Sequence, residues 1–238
     1  MYIKDLHPWS ITPSKATQIQ NQLRNQIMDK DDLGEIQFVA GMDIGFKGNL
    51  ARASIAVLRY SDLEPVDLAV VETTVSFPYV PGLLSFRETP LLLEAAKKLR
   101  TEPDLIIADG HGLAHPRRFG IACHLGLILD KPAIGCAKSR LCGTYSEPSN
   151  RKGSSAHIHD KGEIIGAVLR SRSNVSVVYV SVGHRVSLET AIELTLSCCN
   201  SIGFQKQRVT HIKPLPANLF HWFRIRYHYF NWFLDLLK

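Results

Sequence analysis

The chain has 238 residues, of which 45% are hydrophobic and 21% charged, so it can bury a full core and is not a disordered protein. Its formal net charge of +6 favours a polyanionic partner such as nucleic acid, with an ordinary solvated basic surface as the alternative. No uncharged apolar stretch reaches the length of about 18 residues that suggests a bilayer span. We therefore expect no membrane span.

Cysteine usage and the lack of a linker predict a single domain in a reducing compartment. The five cysteines form no CxxC pair and no secretory signal opens the chain, so we expect a reduced, cytoplasmic protein. No low-complexity linker divides the sequence, which predicts one domain over residues 1–238, and we expect it to be a monomer. The aromatic tail at about 222–238 is either a helix packed on the body or a membrane-surface segment.

The first third of the chain predicts a helix followed by an antiparallel meander. The apolar residues that follow Pro13-Ser14 recur at helical spacing as far as Ile27, which predicts an amphipathic helix. Three segments rich in Val, Ile, Ala and Thr then alternate with turn-forming stretches. The predicted strands are 36–46, 53–60 and 66–76. Residues 77–82 contain two prolines and a glycine, which predicts a stiff surface turn.

The remaining sequence predicts a parallel extension of that meander. A helix from about residue 88 to Arg100 leads into a strand at 104–109, and such a crossover returns the chain parallel to the first strand. The later predicted elements are a helix over 118–129, strands at 133–136, 157–159, 163–170 and 175–182, and a helix from near Ser187. The expected fold is α/β and ribonuclease H-like, with a central mixed sheet of antiparallel meander and parallel strands, flanked by helices.

Two acids occupy positions where a strand is otherwise apolar. Asp43 lies inside the run 38–46, and Asp109 ends the run 105–109. Burying a carboxylate without a partner is costly, so each acid requires a compensating group. The predicted crossover sets the two side by side. A divalent cation such as Mg²⁺ between the strand ends is the economical explanation, because hard cations bind carboxylate oxygens.

Five segments together resemble the endonuclease V family, in order over roughly residues 35 to 221. They are 39–46 (VAGMDIGF), 78–88 (PYVPGLLSFRE), 109–118 (DGHGLAHPRR), 134–141 (IGCAKSRL) and 183–187 (GHRVS). The resemblance implies Mg²⁺-dependent hydrolysis, with Mn²⁺ as a substitute, of DNA that contains deoxyinosine, the product of adenine deamination. It places the cut at the second phosphodiester bond 3′ to the lesion, leaving 3′-hydroxyl and 5′-phosphate ends, as a step of DNA repair.

The resemblance also implies the metal ligands. Asp43, Glu88 and Asp109 match the family's metal-binding carboxylates. A fourth family ligand follows a Pro-x-Pro-Thr-Arg-x-Ala-His pattern, and its spacing indicates His221. Because Ala217-Asn218 replaces the Thr-Arg pair here, His211 remains an alternative fourth ligand.

Further catalytic and substrate-binding residues follow from the same resemblance. Lys138 matches a lysine near the scissile phosphate, and His115 matches a histidine that contacts phosphate or orients water. Without the resemblance, Lys138 could as well be a solvated lysine at the end of a strand. His115 could simply shape its loop. Tyr79 matches a wedge that fills the space left by the flipped base, on a loop shared with Pro78, Val80 and Pro81. The matching pocket residues are Gly82, Leu84, Gly110 and Ile121.

Two other functions remain open at this point. A related ribonuclease H-like nuclease could prefer inosine in RNA, or branched DNA, because the contacts that distinguish a 2′-hydroxyl cannot be identified in the sequence. A noncatalytic lesion-binding protein is the third hypothesis. The complete acidic set argues against it.

Overall fold

The computed structural model describes residues 1–48 and 50–199. Three predictions lie outside these residues: the fourth metal ligand at His221, its alternative His211, and the aromatic tail at 222–238. The helices are α1 Pro13–Leu23, α2 Leu84–Ala96, α3 Ile121–Leu129 and α4 Leu188–Cys198, with a short 3-10 helix at Arg24–Gln26. None of the described helices is long and apolar enough to cross a membrane. The five cysteines are free thiols, as predicted.

The described residues form one eight-stranded mixed sheet. Its strands are β1 Phe38–Lys47, β2 Leu50–Arg59, β3 Pro65–Thr74, β4 Leu105–Ala108, β5 Ala133–Ala137, β6 Ser155–Asp160, β7 Glu163–Leu169 and β8 Val178–His184. The spatial order is β3-β2-β1-β4-β5-β8-β7-β6. The meander β1-β2-β3 is antiparallel, whereas β1, β4 and β5 are parallel neighbours. This confirms the predicted α/β, ribonuclease H-like architecture.

Alternate residues of β4 pack on opposite faces of the sheet. Ile106 belongs to a core that also contains Leu92 of α2 and Ile128 of α3. Ile107 belongs to the core on the other face, which includes Ala191 of α4. All four residues of β4 are buried, so a strand this short is held by both cores at once.

The start and end of α2 differ from the prediction. The helix begins at Leu84, four residues before the predicted start, and its N-cap Leu83 makes no side-chain capping bond. The sequence therefore contained no start signal, and burial of Phe86 sets the helix instead. It ends before Arg100 because the Asp67 carboxylate accepts the backbone N–H groups of Arg100 and Thr101 at 2.5 and 2.8 Å. A contact distant in sequence thus overrides helical propensity.

The end of α1 also differs. The helix ends at Leu23, and Ile27 has an extended backbone with ψ of 127°, so the apolar spacing continues beyond the helix. The predicted strands agree with the observed ones to within a few residues, and β2 and β8 show the largest shifts. Strand ends follow the hydrogen-bonded register of the neighbouring strand rather than composition.

We expect Ile107→Ala to lower the free energy of unfolding by about 2 to 5 kcal/mol, because it leaves a cavity between fully packed elements. Ile164→Ala is the matched control, since that side chain is 50% exposed while Ile107 is 0% exposed. Urea unfolding of both variants would test this. An equal loss in the two variants would contradict the central role of β4.

Candidate functional site

The parallel pairing of β1 and β4 brings Asp43 and Asp109 together, as predicted. Met42 pairs with Ala108, and the Asp109 N–H donates to the Met42 carbonyl at 2.9 Å. The two carboxyl side chains are therefore neighbours, and each affects the pKa of the other. Burial raises the pKa of Asp43 to about 7, and the charge of Asp109 adds to the rise. Asp43 therefore keeps its proton to a higher pH than an exposed aspartate, whose pKa is about 3.9.

Glu88 is a third acid whose pKa is affected by the charges of this pair. It lies on α2, one turn after the helix begins, and is half-buried. Burial raises the pKa of Glu88 to about 8, with further contributions from the charges of Asp43 and Asp109, while Arg87 opposes the rise. Burial is the largest cause of the raised pKa in all three carboxyl groups, so this region favours bound positive charge.

Lys138 supplies one positive charge at the rim. It follows β5, and its Nζ lies 3.0 Å from Oδ2 of Asp109. The Lys138 side chain is 60% exposed and that of Asp109 is 19% exposed, so the lysine reaches the acids from the solvent side. Burial raises the pKa of Asp109, and Lys138 counteracts that rise. As placed, the ammonium can contact both the acids and an incoming anion.

The donor set suits a hard divalent cation. Carboxylate oxygens are the ligands that Mg²⁺ and Mn²⁺ prefer, and a cation would stabilise the charged carboxylates that burial disfavours. Within residues 1–48 and 50–199, no three His, Cys, Asp or Glu side chains already stand together as a metal-ligand cluster. Asp43 lies on β1 beside Asp109, which directly follows the parallel strand β4, and their charges both raise the pKa of Glu88.

His115 lies inside the structure rather than at the phosphate-facing rim. It is 4% exposed, its Nδ1 accepts the Arg117 N–H at 3.1 Å, and its Nε2 therefore donates to the Gly82 carbonyl at 3.0 Å. Burial, then the charge of Arg117, lowers the pKa of His115 to about 4. A neutral imidazole with both nitrogens engaged favours the loop-shaping alternative over direct contact with phosphate.

The proline-rich loop presents Tyr79 to solvent. Tyr79 is 69% exposed, so the loop does not use this ring to pack on the core. The loop ends at Gly82, whose φ of +77° is a left-handed conformation that glycine adopts without strain. Leu84, the first residue of α2, is also exposed. These positions fit an aromatic side chain that contacts a partner, with an adjoining surface on Leu84.

The remaining predicted pocket residues lie against each other. Gly110 has a φ of +153°, and a Cβ at this position would lie 2.6 Å from Cγ2 of Ile121. Only glycine leaves room for the Ile121 side chain at the start of α3. His111, beside Gly110, has its Nε2 3.0 Å from the Ser139 carbonyl oxygen, which ties this loop to the segment after β5.

The structure also shows a residue that sequence reasoning missed. Gln20 is completely buried on α1, among Ala16, Ile19 and Leu23 on the same helix face. Its Nε2 donates to the Gly82 carbonyl at 3.0 Å. A polar residue on an otherwise apolar helix face was the signal that could have identified it.

Comparisons with known proteins agree with this geometry. The sequence model of the family described as "Endonuclease V" matches residues 21–205. The chain is 51% identical to endonuclease V of Roseiflexus sp. (strain RS-1), over 80% of this chain and 86% of that protein. The chain belongs to the endonuclease V family. It is therefore a nuclease by family.

Solved structures of endonuclease V share the fold. That of Streptomyces avermitilis has a TM-score of 0.76 at 38% identity and covers 83% of this chain and 89% of its own. Ciona intestinalis endonuclease V, solved with a 24mer DNA containing an inosine followed by a ribo-adenosine, has a TM-score of 0.67 at 27% identity. It covers 78% of this chain and 88% of its own. The family match over residues 21–205 includes all eight strands of the described sheet.

The raised carboxyl pKa values predict a pH-dependent stability in the presence of a metal chelator. Because the folded state holds protons that the unfolded state releases, the free energy of unfolding should fall as pH rises. The window runs from the ordinary values of 3.8 and 4.5 to the folded values of about 7 for Asp43 and about 8 for Glu88. Glu88→Gln should show a smaller fall than the wild type in urea unfolding at about pH 5 and about pH 8.

Glu94→Gln is the matched control for this measurement. It is the same substitution on the same helix, at an exposed side chain that pairs with Lys97. It should retain the pH dependence of the wild type. A Glu88→Gln protein that loses as much stability as the wild type would show that Glu88 is not protonated in the folded state.

Proposed function

We propose that this nuclease recognises deoxyinosine in DNA and hydrolyses the second phosphodiester bond 3′ to it, leaving 3′-hydroxyl and 5′-phosphate ends. The observation that carries the proposal is the placement of Asp43 on β1 beside Asp109, which directly follows the parallel neighbour β4, with Lys138 Nζ 3.0 Å from Oδ2 of Asp109. Membership in the endonuclease V family supports it, as does the relative from Ciona solved with inosine-containing DNA. The biological role would be DNA repair.

The three carboxyl groups would hold the metal. Asp43, Glu88 and Asp109 offer oxygen ligands for Mg²⁺, with Mn²⁺ as a substitute, and His221 or His211 would add a fourth ligand from outside the described residues. When bound, such a cation neutralises the scissile phosphate and lowers the pKa of the attacking water. Lys138 would place its ammonium against a phosphate oxygen and stabilise charge that develops there, which its exposed position permits.

The loops beside the acids would bind the lesion. Tyr79, on the loop with Pro78, Val80 and Pro81, would stack where the flipped nucleotide leaves the duplex, because an exposed aromatic ring on a stiff loop loses little entropy on binding. Gly82, Leu84, Gly110 and Ile121 would line the base pocket. His115 would act by holding the Gly82 carbonyl rather than by contacting the reacting atoms.

Inosine in RNA is the second candidate substrate. The DNA bound to the relative from Ciona carries a ribo-adenosine directly after the inosine, so that protein accommodates a 2′-hydroxyl at this position. The same acids would serve either strand, since metal-assisted hydrolysis acts on the phosphate that both share. The single domain, the monomeric state and the cytoplasmic location remain predictions.

We expect Asp43→Asn to reduce cleavage of an inosine-containing DNA strand in Mg²⁺ by roughly 1,000-fold, since it removes one ligand charge from the site. Asp62→Asn, the same change at an exposed turn residue, should cleave at the wild-type rate. Matched 5′-labelled DNA and RNA strands, each with one inosine or none, would give the rate, the position of the cut and the preferred sugar.

Each part of the proposal can fail separately in that experiment. Full activity of Asp43→Asn would refute the metal assignment. Equal cleavage of inosine-free DNA would refute lesion recognition, and faster cleavage of RNA would favour the second candidate. Binding in both Ca²⁺ and Mg²⁺ without incision in either would indicate a noncatalytic lesion-binding protein.

Tyr79→Ala should weaken binding of inosine-containing DNA by about 10-fold, because stacking of one base on an aromatic side chain contributes about 1 to 3 kcal/mol. Fluorescence anisotropy in Ca²⁺ would measure the affinity, and calorimetry with Mn²⁺ should show unchanged metal binding. Tyr2→Ala, another exposed tyrosine, is the control. If Mn²⁺ affinity falls with Tyr79→Ala, the residue supports the acidic site and is not a wedge.

A further inference from the structure

The carbonyl oxygen of Gly82 accepts hydrogen bonds from three side chains. Gln20 Nε2 and His115 Nε2 each donate at 3.0 Å, and Arg117 Nη2 donates at 2.6 Å. A carbonyl oxygen has two lone pairs, so three donors saturate it. The end of the Tyr79 loop is therefore fixed from three directions.

Gln20 links these groups to one another. Its Nε2 also donates to the Phe119 carbonyl at 2.9 Å, and its Oε1 accepts from Arg117 Nε at 2.5 Å. The side chain is 0% exposed, so it forms these bonds without competition from water. One residue of α1 thus connects the loop that carries Tyr79 to the 110–120 loop.

Gly82 allows this close approach. A Cβ at this position would lie 2.6 Å from Arg117 Nη2 and 3.4 Å from His115 Nε2. The positive φ of +77° and the lack of a side chain therefore both serve the same contact. The same carbonyl is thereby tied to the segment that contains His115 and Arg117.

We propose that Gln20 is a positioning residue for lesion discrimination: with Arg117 and His115 it fixes the Gly82 carbonyl and so sets the pocket that receives the flipped base. The proposal rests on the proposed function and deepens it. Gln20 lies one residue before the segment that the family model matches, residues 21–205. The positioning set is Gln20, His115 and Arg117.

Positioning of this kind acts on binding and selectivity rather than on hydrolysis. Taking a base out of the stack costs free energy. A pocket compensates for this cost best if it already has the shape that receives the base. The acids Asp43 and Asp109 are held by strand pairing, so a change at Gln20 leaves their placement intact. Loss of the Gln20 bonds should raise KM for inosine-containing DNA and leave kcat nearly unchanged.

Gln20→Met tests the proposal, because methionine keeps the volume and removes every hydrogen bond of the amide. Gln18→Met is the matched control, the same substitution on the exposed side of α1. In Mg²⁺, Gln20→Met should show a KM about 10-fold higher for inosine-containing DNA and an equal loss in its preference over inosine-free DNA. The control should match the wild type.

A spectroscopic measurement separates positioning from general destabilisation. 2-Aminopurine beside the inosine fluoresces when it is unstacked, so its signal at saturating protein in Ca²⁺ reports the distortion of the duplex. The signal should be lower with Gln20→Met than with Gln18→Met. Unchanged KM, preference and fluorescence in Gln20→Met would overturn the positioning role while the proposed function stands.

Arg117→Lys keeps the test decisive if Gln20→Met does not fold. Lysine retains the charge but cannot donate from two nitrogens to Gln20 and Gly82 at once. It should reproduce the rise in KM and the loss of preference. Wild-type behaviour of Arg117→Lys would also overturn the positioning role. Failure of the wild type to prefer inosine would instead refute the proposed function itself.

Discussion

The site depends on the parallel pairing of β1 with β4. This pairing places the carboxyl group of Asp43, within β1, beside that of Asp109, just after the end of β4, where packing removes most of their water. Burial and mutual repulsion oppose folding, and the two hydrophobic cores on either side of β4 supply the opposing stabilisation. The two aspartates are thus held by strand pairing between two hydrophobic cores, which keeps their geometry fixed.

Around this fixed centre, the site divides into a rigid and an adaptable part. Asp43 and Asp109 are positioned by backbone pairing, whereas Glu88 comes from a helix and Lys138 from the segment after β5. Long side chains of this kind can change rotamer without disturbing the sheet. Asp43 and Asp109 thus have a fixed position, whereas the side chains of Glu88 and Lys138 can change position.

Much of this arrangement follows from sequence patterns. Alternation, turn residues and the helical crossover predict the mixed sheet, and the strand ends then predict the contact between Asp43 and Asp109. The start of α2 was missed because Leu83 carries no capping signal, and its end because Asp67 captures the chain from another element. The position of Gln20 on an apolar helix face was a local signal, but its partners lie 62 to 99 residues away and could not be predicted from it.

The attachment of Gly82 to α1 has a consequence for how such enzymes can be recombined. The loop that carries Tyr79 looks like a compact insert between β3 and α2, yet its last carbonyl is held by a helix near the start of the chain and by the loop before α3. The conformation of this loop therefore depends on two other segments of the chain. Moving this loop alone into another protein would transfer the aromatic ring without the residues that hold the loop in place. An exchange between relatives must therefore include the loop, α1 and the loop before α3.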